Sequence, residues 1–89
     1  MNDSRATTDQ PNAAIRTAVL VARNKRGIRQ QDMADELAVS RVTIINWETG
    51  RSVPSLEILQ GLRYHKAQWV SDLAETILAI MFPAREATR

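Results

Sequence analysis

Between Ser40 and Gly50 the chain reads Ser-Arg-Val-Thr-Ile-Ile-Asn-Trp-Glu-Thr-Gly, and at helical spacing its side chains sort onto two faces. Ile44 and Trp47, three apart, share one face, while Arg41, Val42, Ile45, Asn46 and Thr49 share the other. The second face joins a guanidinium, a carboxamide and β-branched methyl groups. It meets no carboxylate until Glu48, which turns toward the first face. A face turned only to water more often carries Glu and Lys. These groups suit the base-pair edges of a B-DNA major groove: arginine for guanine O6 and N7, asparagine for adenine N6 and N7, and apolar groups for the thymine methyl.

Other chemistries lack the residues they need. His65 is the only histidine and there is no cysteine, which removes disulfides, thiolate metal sites and any histidine-based catalytic pair. Asp32, Asp35 and Glu36 form a carboxylate cluster, but on the solvated face of a short helix, without the cleft that general acid–base work requires. The three glycines, Gly27, Gly50 and Gly61, are too scattered to cradle a phosphate. No catalytic residue, cofactor or metal is expected, and the chain is not expected to be an enzyme. No apolar run approaches the ~20 residues of a membrane span, and the polar N-terminal segment carries no signal-peptide pattern. A cytoplasmic protein with no membrane partner is the expectation.

The net charge is only +2, but its distribution is uneven. Nine Lys/Arg against five Asp/Glu lie between Asn12 and Lys66, and the flanks are net acidic, so an acidic partner would gain most along the middle of the chain.

The elements that must position these groups are all helical. Residues 1–11 read as a flexible arm ending at Pro11. A first helix is predicted from an Asn12 cap to Gly27, burying Ile15, Val19 and Ala22. A second spans about Gln30–Leu37 with Met33, Ala34 and Leu37 inward. Ser40 is a good cap for a third, Arg41 to Thr49. A fourth starts near Pro54-Ser55 and buries Leu56, Leu59 and Leu62, and a fifth runs from about Lys66 to Met81, bounded by Pro83. The domain boundaries are then 1–11, 12–64, 65–82 and a flexible tail 83–89.

The run from Gly27 to Gly50, continued by Arg51-Ser-Val-Pro-Ser-Leu-Glu-Ile-Leu59, closely resembles the Cro/phage-repressor-like (XRE-type) helix-turn-helix family, with Gln30, Ala34, Val39-Ser40, Ile44, Trp47-Glu48 and Gly50 in register. With the first helix, the resemblance covers about residues 13–63. It implies an all-α, compact five-helix lambda-repressor-like fold with the third helix in the major groove. Carried over by position, it implies base reading by Arg41, Val42 and Asn46, to which the outward face adds Ile45. It implies DNA-backbone contacts by Gln30, Ser40, Thr43 and Arg51, and a structural ion pair between Arg23 and Glu48. Three positions depart from the family. Ala38 stands where the turn usually has glycine, Arg29 replaces the usual Ser or Thr cap and is available to a phosphate instead, and Thr49 replaces the usual asparagine.

The fifth helix carries more apolar surface than one stripe against a small core requires, and Trp69, Leu73, Ile77, Ile80 and Met81 are assigned to a dimer interface. The expected function is a homodimeric, sequence-specific repressor, bacterial or phage-encoded, on a palindromic double-stranded DNA operator. Two alternatives stand beside it. One is an antitoxin with a small toxin partner, or the related autorepressor of a phage counter-defence operon. The other is a protein-interaction module without DNA binding.

Overall fold

A computed structural model describes the backbone from Asn2 to Pro83 and the side chains from Pro11 to Pro83. Five helices follow in order: α1 (Asn2–Arg26), α2 (Gln30–Leu37), α3 (Arg41–Glu48), α4 (Leu56–Leu62) and α5 (Gln68–Met81). Among the described residues there is no strand.

The first three helices end by one device. A residue one or two positions past the helix turns left-handed, and the next N–H reaches back over the last turn to take a carbonyl that would otherwise lack a donor. Gly27 (φ 66°) does this for α1, with Ile28 N–H donating to the Arg23 carbonyl at 3.4 Å. Gly50 (φ 80°) does it for α3, with Arg51 N–H donating to Asn46 O at 2.9 Å. Ala38 (φ 61°) does it for α2, with Val39 N–H donating to Ala34 O at 3.0 Å. Alanine has a Cβ to accommodate in that conformation, at about 1 kcal/mol. Ser40 and Ser55 cap α3 and α4 by accepting from Thr43 N–H and Ile58 N–H.

Several sequence boundaries shift. α1 begins at Asn2 rather than Asn12 and passes through Pro11. Proline's fixed φ of about −65° is helical, so the helix continues through it while forgoing one hydrogen bond. α5 begins at Gln68, because the His65 ring nitrogen Nδ1 accepts from Ala67 N–H at 2.9 Å and holds Lys66 and Ala67 outside the helix. The expected tail beyond Pro83 lies outside the described residues.

The core joins all five helices: Ile15 and Val19, Met33, Ala34 and Leu37, Ile44 and Trp47, Leu59 and Leu62, then Val70, Leu73, Ala74 and Ile77. α1 packs on both α3 and α5, α2 on α3, and α4 on α5. α3 is therefore seated by its neighbours on α1 and α2, while α5 packs chiefly on α1 and α4. Arg63 at the end of α4 pairs with Glu75 of α5 at 3.0 Å.

Three apolar expectations are corrected. Leu56, expected in the core, is 44% exposed: it shares a face with Leu59, but it is the first residue of α4 and sits at the helix end, outside the buried cluster. Leu73 and Ile77, assigned to a dimer interface, are only 5% and 1% exposed. α5 turns that stripe onto α1 and α4, so these two side chains complete the monomer's own core and face no partner. Trp69, Ile80 and Met81 remain half-buried, and Phe82 is 58% exposed.

Candidate nucleic-acid interface

α3 is built from its buried side outward. Ile44 and Trp47 lock it into the core, and Glu48, the last residue of the helix, is buried beside them. A buried carboxylate must be matched, and this one is. Arg23 of α1 donates Nε to Glu48 Oε2 at 2.6 Å and Nη2 to Oε1 at 3.1 Å, a forked pair. Its Nη1 donates to the Ile28 carbonyl at 3.0 Å, so the guanidinium also fastens the α1–α2 turn. The hydrogen bond to Glu48 raises the Arg23 pKa above its ordinary value against the opposing effect of burial, and the residue stays charged. Gln30, at the start of α2, donates Nε2 to the same Glu48 oxygen at 3.0 Å. One carboxylate thus ties three helices together and fixes the angle of α3.

The opposite side of α3 is open. Arg41 is exposed, Val42 is 62% exposed, and Asn46, Ile45 and Thr43 are half-buried. Among the described residues no carboxylate pairs with Arg41 or with the exposed Arg51 in the following loop. Ile45 divides itself between packing and solvent, which makes it a weaker methyl donor to a groove than Val42.

The groups expected to meet the DNA backbone are placed around this face with donors left over. The Gln30 amide has two hydrogens and Glu48 engages one. The Ser40 and Thr43 hydroxyls lie 2.9 Å apart, so one hydrogen is shared between them and the other is left. Arg29 is different. Its Nε and Nη2 bond both oxygens of Asp32 at 3.1 Å, and Asp32 also accepts from Arg29 N–H. A guanidinium cannot accept a capping bond, so here the carboxylate three residues on supplies the returning half of the cap. Arg29's hydrogen bonds hold the Asp32 carboxyl below its ordinary range. The remaining N–H groups of Arg29 are free, but much of its charge is already answered.

Two arrangements at this site are not in the sequence reading. Asp32 acts as the cap partner of Arg29, for which the N-cap-to-N3 spacing is a local signal. Thr49, in place of the family's asparagine, donates its hydroxyl to the Ile45 carbonyl at 2.8 Å and so secures the last turn of α3. No pattern in the sequence singles out that bond. His65 sits at the α4–α5 junction, with Nε2 3.1 Å from the Glu36 carbonyl.

The geometry defines a class: a short helix seated on a tryptophan, held by a buried ion pair, with arginine, valine and asparagine facing out. Residues 21–62 match the helix-turn-helix family model. Residues 21–62 thus form a helix-turn-helix segment of the Cro/C1 type, the XRE family, which supports a DNA-binding regulator of that type. No curated protein and no solved structure matches it. Among the described residues, no helix is long and apolar enough to cross a membrane, and no group of three or more His, Cys, Asp or Glu is placed to hold a metal ion.

Proposed function

We propose that the chain is a repressor that binds a palindromic operator as a homodimer, with α3 of each copy reading bases in the major groove. The observation that carries this reading is the contrast across α3, where Glu48 is buried and clamped on one side while Arg41 and Val42 are open on the other. A rigid helix with unsatisfied donors and an exposed methyl face can discriminate bases, because its side chains are presented at a fixed angle. Arg41 and Asn46 hydrogen-bond base edges, Val42 meets a thymine methyl with Ile45 assisting, and Gln30, Arg51 and the Ser40–Thr43 pair set the register on phosphates.

Dimerisation uses the C-terminal end of α5, where Ile80, Met81 and Phe82 keep apolar surface exposed, with Trp69 contributing less. The Arg26 guanidinium lies 5.6 Å from the Trp69 ring centroid and already covers part of that face. Two copies related by a twofold axis would place their α3 helices about 34 Å apart, one helical turn of DNA. Bound there, the dimer would occlude a promoter in the cytoplasm of a bacterium or on a phage genome.

The test is selection of binding sites by the purified full chain from a random DNA pool. Recovery of two inverted half-sites separated by about one helical turn is expected. Recovery of no enriched sequence contradicts the reading.

A further inference from the structure

Beside the C-terminal end of α3 lies a notch of about 300 Å³ that none of these contacts uses. Asn12, Ala13 and Arg16 of α1 line one wall, and Thr49 and Gly50 of the turn after α3 line the other. Arg16 stands seven residues before Arg23, two helical turns, so the two share a face of α1 about 10 Å apart along the axis. Arg23 grips Glu48 at the end of α3. Arg16 reaches the turn just beyond it. A side chain at Gly50 would place its Cβ 3.9 Å from Arg16 Cδ, so the arginine stem lies along the glycine in ordinary contact.

The arginines of the described residues divide into two sets. Arg23, Arg29 and Arg63 are each matched to a carboxylate, whereas Arg16 is exposed and is matched to no carboxylate among the described residues. Among the described residues, no acidic residue lines the notch. Thr49 turns its hydroxyl hydrogen back onto Ile45 O, which leaves the Arg16 guanidinium and the exposed Asn12 amide as the donors facing the space. Arg51 follows Gly50 directly and extends the positive surface toward the open face of α3. A fork of N–H donors beside an amide, in a recess whose described lining holds no carboxylate, suits a phosphate oxygen.

We propose that Arg16, assisted by Asn12, holds a backbone phosphate of the DNA flanking the bases that α3 reads. This rests on the reading of α3 given above and adds a contact from α1. It positions the duplex and carries no base preference of its own.

The test takes a duplex selected by the parent protein and replaces its phosphates one at a time with neutral methylphosphonates. One flanking replacement is expected to weaken the parent and leave Arg16→Ala unaffected. The slope of log affinity against log salt is expected to fall in magnitude by about 0.9 in Arg16→Ala, with base preference unchanged. Arg16→Lys is expected to keep the parent's slope, and the helical circular dichroism of both variants to match the parent's. An Arg16→Ala protein with the parent's salt slope and its full set of sensitive phosphates overturns this assignment and leaves the reading of α3 standing. A parent chain that enriches no sequence overturns both.

Discussion

At Glu48 a single carboxylate decides how the recognition surface is held. It is buried, it accepts from Arg23 twice and from Gln30 once, and those partners come from two other helices. Removing its charge leaves the Arg23 guanidinium partly buried without a counterion, which costs more than a surface ion pair does. Glu48→Gln is expected to lower stability by about 2–3 kcal/mol, measured as a shift in the urea midpoint at unchanged slope. A loss of a few tenths would make the pair no more than a surface contact. Arg29–Asp32 is the contrasting case: with Arg29 fully exposed, that pair orders the start of α2 and contributes little to global stability. The sequence made Arg23–Glu48 legible only through the family resemblance, because nothing local links residues 25 apart. Asp32, by contrast, lies at a spacing that capping rules cover.

Among the elements, the turn between α2 and α3 is under the most strain. Ala38 sits at φ 61° in a position that favours glycine, and the chain holds it there through the Val39 N–H bond to Ala34 O. Ala38→Gly is expected to raise stability by about 0.5–1 kcal/mol, relief of the Cβ clash being offset in part by the added freedom of the unfolded chain. A lower melting temperature for that variant would contradict the strained-turn account. Helix ends and inward faces were largely readable beforehand. Ser40, Ser55, Gly27 and Gly50 act through bonds within a few residues, and Met33, Leu37, Ile44 and Trp47 repeat at the helical period. The start of α1 was not readable. Asn12 has the chemistry of a cap, but a helix that passes through Pro11 leaves it in the interior.

For the whole molecule, the open question at the sequence level was how much of α5 belongs to the monomer. Periodicity shows that a helix is apolar without showing what covers it. Leu73 and Ile77 proved to be core because α5 lies across both α1 and α4, a fact of tertiary arrangement. What remains for the proposed second copy is the end of the helix. Met81→Asp combined with Phe82→Asp is expected to leave the fold intact, since Phe82 is 58% exposed and Met81 half-buried, and to shift the protein from dimer to monomer in sedimentation. A double variant that stays dimeric would place the interface elsewhere. Ile77→Asp is no test of dimerisation, because a charge at a side chain 1% exposed would unfold the chain first.

The most direct measurement compares the affinity of Arg41→Ala with that of the parent on the selected site and on scrambled DNA at one salt concentration. With Arg41 on a base edge, the variant should lose about 1–3 kcal/mol on the selected site, roughly 5- to 150-fold, and tolerate any base at one position of each half-site. On scrambled DNA it should lose far less. An equal loss on both would mean that Arg41 only answers phosphate charge, and that the outward face of α3 does not read sequence.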